Sequence, residues 1–319
     1  MSIVCMGELL IDFVAQQASV SVSEADSFRK AAGGAPANVA VAAARLGHAS
    51  AFIGMVGDDP FGHFLKATLD AEGVETSGLK FNKKARTMLA FVARQADGER
   101  SFSFYRHPSA DMKMRPEDVE TSVIDAYQVF HFGSITLINQ PARAATLSAA
   151  DYARAQGKLI SYDPNMRLNL WGSKRACRQG MLLGLEYAHI VKISEEEVVF
   201  LTGSDDISPL WREQTKALVV THGRRGSTVY LREGLLKLHI EGQGVQAIDT
   251  TGAGDAFLAG LLHGLLTRGA PDELFDTLTD WAEILHIANS VGALATTAYG
   301  AIPAMPTREQ VEVLASSVG

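Results

Sequence analysis

Residues Asp249 to Phe257, Asp-Thr-Thr-Gly-Ala-Gly-Asp-Ala-Phe, constrain this chain more than any other stretch. A short strand at Val245 and Ala247 runs into a tight glycine turn, and the turn opens onto an apolar helix. Gly252 and Gly254 free the backbone for conformations closed to other residues, so that several N–H groups can converge on one point. The first N–H groups of the helix lack intrahelical partners and lie at the positive end of its dipole. Such a place binds an anion, phosphate above all. Asp255, in the first turn, sits where a carboxylate can take a proton from an attacking hydroxyl. An anion hole with a base beside it is the equipment of phosphoryl transfer to an alcohol. A lone Gly-x-Gly-Asp reads equally well as a strand-to-helix turn with its aspartate as cap. Two flanking threonines and a second acid, Asp249, favour the anion site.

The chain is 319 residues long, with 47% apolar residues, enough for the core of a single large α/β unit. Its net charge is −7 and it has no lysine-arginine tract, which speaks against nucleic acid and against an anionic membrane as partners. The start, Met-Ser-Ile-Val-Cys-Met-Gly-Glu, has no basic lead and soon meets Glu8 and Asp12, so no signal peptide is expected. The most apolar run, Leu258 to Leu266, is too short to span a bilayer and contains His263. Cys5 and Cys177 are the only cysteines and suggest reduced thiols in a cytoplasmic protein.

Ile3 to Met6 and Ala51 to Val56 read as buried strands, with a helix from Pro36 to Leu46 between them. Pro36 suits a first turn and Gly47 a helix end. Further strands are predicted at Val129 to Phe132, Leu159 to Tyr162, Ile190 to Ile193 and Ala217 to Thr221. Helices at Ala142 to Gln156 and Glu195 to Leu201 separate them. Strands alternating with helices imply an α/β fold, a mostly parallel sheet covered on both faces. Ligands of such sheets sit at the carboxyl ends of the strands. Asp163, Ser194, Thr221 and the glycine turn all follow predicted strand ends. Two segments break the alternation. Phe13 to Lys30 is polar, with a Val20-x-Val22 step; Leu79 to Tyr105 alternates strongly around a predicted hairpin turn at Asp97-Gly98. From pattern alone they form an edge meander of the main sheet.

A second long motif is Gly33-Gly34-Ala35-Pro36-Ala37-Asn38-Val39-Ala40, followed by an alanine-rich helix. Together with Asp249–Asp255 it resembles the paired signatures of the ribokinase-like (PfkB) sugar kinases, in that family's order. Phe104-Tyr-Arg-x-Pro-x-Ala-Asp111, Asp163-Pro-Asn-x-Arg-x-x-Leu-Trp171 and Lys192-Ile-Ser-Glu-Glu-Glu197 narrow the resemblance to bacterial and plant fructokinases. It runs from the first strand to near the C-terminus. It implies one three-layer α/β/α kinase domain over residues 1–319, with a small β-lid built from about 13–30 and 79–108 that excludes water from the sugar site.

On the sugar side, the resemblance makes Asp12 an acceptor for two sugar hydroxyls, although alone it reads equally as a solvated loop acid. Gly33 and Gly34 let backbone approach the ring, and Asn38 offers a donor and an acceptor, or a simple cap. Arg106, coming off the lid, and Asn165 with Arg167 complete the substrate set, Arg167 through a bidentate contact to phosphate or a lock on a neighbouring carboxylate. Asp163 reads as well structurally as functionally. His107 departs from the family, where fructokinases often carry Asn.

No Gly-x-x-x-x-Gly-Lys-Ser/Thr occurs and no Gly-x-Gly-x-x-Gly follows the first strand, which sets aside P-loop enzymes and weighs against dinucleotide dehydrogenases. Thr221-His-Gly223-Arg-Arg-Gly226 resembles the family's nucleotide loop. With Lys192, Ser194, Gly254 and Asn289 it makes the expected ATP site. Asn289 matches a position beside the adenine, though by itself it is only a polar residue on a helix. Ser194 replaces the family's Asn. Glu197 matches the acid that orients waters around Mg²⁺, an ion that leans on substrate phosphates and needs no carboxylate cage. Without a His-x-x-x-His pair zinc is not expected. The resemblance adds a monovalent cation site for potassium at Asp249, Thr251 and the carbonyls of Ala295, Ala298 and Gly300.

These residues point to a kinase that uses ATP and Mg²⁺ to phosphorylate the primary hydroxyl of D-fructose. Asp255 is its base, the N–H groups of Ala253, Gly254 and Asp255 hold the charge that develops, and Gly252 shapes the turn that presents them. A 2-keto-3-deoxygluconate kinase and a ribose or nucleoside kinase are rivals within the class, and an inactive sugar or nucleotide sensor is a rival outside it. The exposed edges of a lid also suggest a homodimer.

Overall fold

Strand β1 (Ser2–Met6) shows how the protein is layered. Its side chains alternate between two cores, Ile3 and Cys5 in one, Val4 and Met6 in the other. Only a sheet covered by helices on both faces buries successive residues in this way. The computed structural model describes residues 2–17, 19–94, 100–270 and 272–317. The predicted turn at Asp97-Gly98 lies outside them.

After β1 the chain makes β2 (Leu10–Ala15), β3 (Phe28–Gly33), helix α1 (Ala35–Arg45), β4 (Ala49–Gly57), α2 (Pro60–Ala71), β5 (Val74–Glu75) and β6 (Leu79–Asn82). Then come β7 (Leu89–Arg94), β8 (Arg100–Tyr105), α3 (Thr121–Asp125), β9 (Val129–Gly133), α4 (Ala142–Ala155) and β10 (Leu159–Asp163). The C-terminal half holds α5 (Lys174–Leu185), β11 (Ile190–Ser194), α6 (Glu195–Thr202), β12 (Ala217–Thr221), β13 (Ser227–Leu231) and β14 (Leu236–Ile240). It ends with α7 (Ala253–Thr267), α8 (Trp281–Ala295) and α9 (Arg308–Ser317).

The main sheet runs β14-β13-β12-β11-β10-β9-β1-β4-β5, with β6 also on β4, and is parallel except where β13 pairs with its two neighbours. From β1 the chain leaves to β4 on one side and reaches β9 on the other. The crevice past the end of β1 is therefore the topological switch point, the usual ligand site of an open parallel sheet. Helices α1, α7 and α8 share the Ile3 core, while α4 and α5 pack into the Val4 core. This is the three-layer α/β/α arrangement expected.

Helix α1 starts at Gly34, takes Pro36 in its first turn and stops before Gly47, at φ +88°. Its alanines let it lie close on β1 and α7. Gly34 has φ +115°, and a Cβ there would overlap the Glu8 carbonyl oxygen. Only glycine can start the helix at that distance from the β1–β2 turn.

A second sheet, β3-β2-β7-β8, stands apart from the first. Leu79–Asn82, assigned to the small β-lid by the family resemblance, instead runs parallel to β4 at the edge of the main sheet, as the pattern alone suggests. The segment Phe13–Lys30 is not all sheet either: β2 starts earlier, at Leu10, so Asp12 lies within a strand. Val245 and Ala247 also differ from expectation, since among the described residues no strand follows β14. The Ile248 and Asp249 N–H groups donate to the Thr296 carbonyl, so the chain just before the glycine turn is held by the turn after α8.

Candidate active site

Helix α7 begins at Gly252, which takes a left-handed φ of +77° with Met305 and Ala301 packed close beside it. The Ala253 N–H closes back on the Thr250 carbonyl at 3.3 Å. Among the described residues, the Gly254 and Asp255 N–H groups make no backbone bond. They are the orphan donors at the positive end of a 15-residue helix, and the anion hole therefore rests on Gly254 and Asp255 more than on Ala253.

Asp255 is 8% exposed, and its Oδ2 accepts a hydrogen bond from Asn38 Nδ2 at 2.7 Å. Asn38 stands in the first turn of α1, so two helix N-termini meet at this carboxylate. Burial lifts the Asp255 pKa to about 6, and the nearby Asp163 charge adds to the rise. The Asn38 hydrogen bond and the Lys192 and Arg167 charges pull it partway down. A carboxyl that titrates near 6 is a competent base at neutral pH. Asn38 Oδ1 is buried without a partner among the described residues, as a group waiting on a ligand hydroxyl would be.

Asp12 lines a cavity of about 450 Å³ between the small sheet and the body. Ala31, Val92 and Phe102 wall one side, and Asp249, Thr251 and Ile302 the other. Asp255 is not part of this lining but follows Thr251 by four residues, at the start of α7. Gly33 backs directly onto Asp12, whose carboxylate occupies the space a Cβ would need. Arg106 is 1% exposed, and its guanidinium grips Asp111 through Nε at 2.9 Å and Nη2 at 2.8 Å. Nη2 also reaches the Ile135 carbonyl, while Nη1 has no partner among the described residues. Arg106 is thus anchored in the body and not carried freely on the small sheet.

Of the predicted nucleotide residues, Ser194 and Thr221 end β11 and β12, while Asn289 reaches β13 and β14 from α8. Ser194 caps α6 and Glu197 returns to the Ser194 N–H at 2.8 Å, forming a capping box. The other Glu197 oxygen accepts the Met166 N–H at 2.6 Å. With both oxygens engaged, Glu197 suits an outer, water-mediated place beside Mg²⁺. No cluster of three or more His, Cys, Asp or Glu suited to a metal is found among the described residues. Thr221 ends β12, and Gly223 and Gly226 have φ of +58° and +91°. Asn289 uses its whole amide within the protein: Oδ1 accepts from Ser227 and Nδ2 donates to the Ile240 and Glu241 carbonyls. It braces that wall. Lys192, paired with Asp163 at 2.9 Å, lies against Gly254.

Asp249 ties the cation-site candidates together. Its Oδ1 accepts from the Thr251 N–H and hydroxyl, and its Oδ2 from the Gly300 N–H at 2.9 Å. Ala295 closes α8 and Ala298 lies in the turn leading to Gly300. Asp249 thus ties the turn before α7 to the turn after α8, and the oxygens there could hold a monovalent ion.

The sequence reading missed Glu8. It is 2% exposed, its Oε1 accepts the Ala35 N–H at 3.0 Å, and burial lifts its pKa to about 7. An acid directly after a buried strand at the switch point was the available signal.

A family model described as pfkB family carbohydrate kinase matches residues 1–308. The chain belongs to this kinase family. Among its relatives this pfkB kinase is 47% identical to "Probable fructokinase-7" of Arabidopsis thaliana over 322 residues, covering 99% of this chain and 92% of that one. A fructokinase of Xylella fastidiosa solved with bound ATP superposes with a TM-score of 0.92 at 36% identity, covering 99% and 98% of the two chains. A double mutant of the Vibrio cholerae O395 fructokinase, solved with fructose, ADP and potassium ion, gives 0.85 at 35% identity, covering 98% and 97%. The pfkB kinase therefore has the ribokinase-like fold expected and is an ATP-dependent sugar kinase. Its two cysteines are free and buried, and no described helix is long and apolar enough to cross a membrane.

Proposed function

We propose that this pfkB kinase transfers the γ-phosphoryl group of ATP to the primary hydroxyl of D-fructose, giving fructose 6-phosphate and ADP. The observation that carries this reading is the Asn38-held Asp255 beside the free N–H groups of α7. Fructokinases related over nearly the whole chain support fructose as the sugar. Asp255 accepts the hydroxyl proton while the oxygen attacks phosphorus. The Gly254 and Asp255 N–H groups hold the charge on the phosphoryl oxygens. Asp12 and the unpartnered Oδ1 of Asn38 orient the sugar, with Gly33 and Gly34 giving it room. Thr221, Gly223 and Gly226 receive the nucleotide in a wall braced by Asn289 and capped by Ser194. Mg²⁺ supplies neutralising charge when bound to the triphosphate, with Glu197 fixing its outer waters.

ADP release with Mg²⁺-ATP and potassium, across fructose, ribose, 2-keto-3-deoxygluconate and nucleosides, tests the assignment. Efficient turnover of fructose is expected; turnover of none of them sinks it. The free Nη1 of Arg106 favours one second reading, a keto-acid substrate whose carboxylate this nitrogen and Arg167 would hold.

Because the base must be ionised, kcat/KM should fall as pH drops through about 6, the raised value of Asp255. A pH profile flat from about 5 to 8 would remove Asp255 from the role of base. With potassium replaced by a bulky organic cation, turnover should drop several-fold and return on adding potassium, and Asp249→Ala should abolish that response. An unchanged rate in both buffers would discard the cation site. We further assign a lid role to the small sheet and a homodimer along it, supported by Tyr105, 64% exposed on the edge strand β8. Light scattering that gives a monomer would end the dimer assignment.

A further inference from the structure

Asp163 and Lys192 form a buried ion pair across the ends of β10 and β11, with side chains 4% and 8% exposed. A Cβ on Gly254 would stand 3.0 Å from Lys192 Nζ, so the ammonium lies at the mouth of α7. The second Asp163 oxygen has a separate task. Oδ1 accepts the Asn165 N–H at 3.0 Å and closes a turn in which Asn165 takes φ +44°, a conformation asparagine tolerates better than most residues. Glu197 secures the same turn from the other side through the Met166 N–H. Buried ion pairs rarely add net stability, because desolvation offsets the attraction. What such a pair provides here is a fixed location for a charge that otherwise sits on a flexible stem.

We propose that Asp163 is a positioning residue of the transfer site, holding the Lys192 ammonium toward the phosphoryl group with one oxygen and shaping the Asn165–Arg167 turn with the other. This rests on the kinase reading above. In that reaction the sugar oxygen bonds to the γ-phosphorus and the bond from phosphorus to the β–γ bridging oxygen breaks. The electron pair leaves with ADP, and the hydroxyl proton goes to Asp255. Lys192 offsets the charge on the phosphoryl oxygens in transit and is itself unchanged. The groups facing Asp255 are Asn38 from α1, Asp163 from β10, Lys192 from β11 and Arg167 from the turn after β10. Of these only Asp163 is anionic, so neutralising it makes Asp255 easier to ionise.

The test compares Asp163→Asn, Lys192→Gln and the double variant. The amide in Asp163→Asn would keep an Oδ1 acceptor for the turn while losing the charge that holds the ammonium, so the two tasks separate. Asp163→Asn should lower kcat by up to about 10²-fold, the usual cost of a misplaced group. KM for fructose should change by no more than a few-fold, and the acid limb of kcat/KM should move to lower pH. The double variant should be little slower than Lys192→Gln, because Asp163 acts through Lys192. Wild-type kcat with an unmoved limb in Asp163→Asn, or losses that multiply in the double variant, would overturn the proposal. A readout independent of turnover is reductive methylation of Lys192 at mildly alkaline pH, followed by mass spectrometry. Losing the carboxylate favours the neutral amine, so labelling should be faster in Asp163→Asn and blocked by Mg²⁺-ATP. Equal labelling rates overturn the positioning role even if the enzyme is active. A wild type that turns over no sugar, with faster labelling in the variant, overturns the kinase reading and leaves the pair standing.

Discussion

Replacing Asp255 by Asn is expected to lower kcat by about 10²–10⁴-fold, the usual contribution of a well-placed general base. Affinities for sugar and nucleotide should stay within several-fold, because the amide oxygen in Asp255→Asn can still accept from Asn38 Nδ2 and the α7 backbone is left as it is. Steady-state kinetics with fructose and Mg²⁺-ATP decide the matter, and near-wild-type turnover would remove Asp255 from the mechanism. The same variant should be more stable than the parent. The folded-state pKa of Asp255 is raised to about 6 from an ordinary 3.8, so ionising it is harder in the folded protein than in the unfolded chain. Its favourable contribution is complete below 3.8 and is lost as pH rises through about 6, where the native protein must carry a desolvated charge. Above that pH a neutral amide should therefore gain on the order of 3 kcal/mol. Thermal melts at about pH 8 and pH 4 check this: the Tm difference should be plain at the first and nearly gone at the second. This is the familiar opposition between activity and stability at a working site.

Gly34→Ala should cost on the order of 2–5 kcal/mol, the sum of a forbidden backbone conformation and an overpacked contact. A methyl group there meets the Glu8 carbonyl, and φ of +115° is closed to alanine. Relief requires the start of α1 to move away from β1. That movement takes Asn38 from Asp255 and the Ala35 N–H from Glu8. Turnover should then collapse even in the fraction that stays folded. Urea unfolding beside kinetics reads both effects, and an unchanged midpoint would show that the turn tolerates a side chain.

Much of this is legible from local pattern. The continuous apolar run of Ile3 to Met6, the proline and glycine that bracket α1, and the Gly-Ala-Gly start of α7 are short-range signals, and each element lies where those signals place it. Partnerships set by distant residues are harder to read. Leu79–Asn82 alternates like its neighbours, yet β4 offers it an open edge more than twenty residues upstream in sequence. Val245 and Ala247 have strand-like spacing, but the chain just after them is held by the turn at Thr296. Arg106 looks available because it follows a strand; the acid that captures it, Asp111, lies five residues on in a turn whose shape the sequence does not announce. Asn289 looks like a ligand contact because its partners, Ser227 and the Ile240 carbonyl, come from strands far along the chain. Glu8 escapes notice for the same reason, its partner being the backbone of a helix that begins 27 residues later.

Asp12 belongs to the small sheet and Asp255 to a helix of the large one. Under the proposed function, the Asp12 share of acceptor recognition and the activation of the hydroxyl would thus be written on separate pieces of architecture, joined through Asn38. Substitutions along β2, β3, β7 and β8 would then alter the part of the sugar site around Asp12 without touching Asn38 and Asp255. Directed evolution of a new acceptor range should begin in those four strands, and a lineage that diversified its substrates would be expected to carry its variation there.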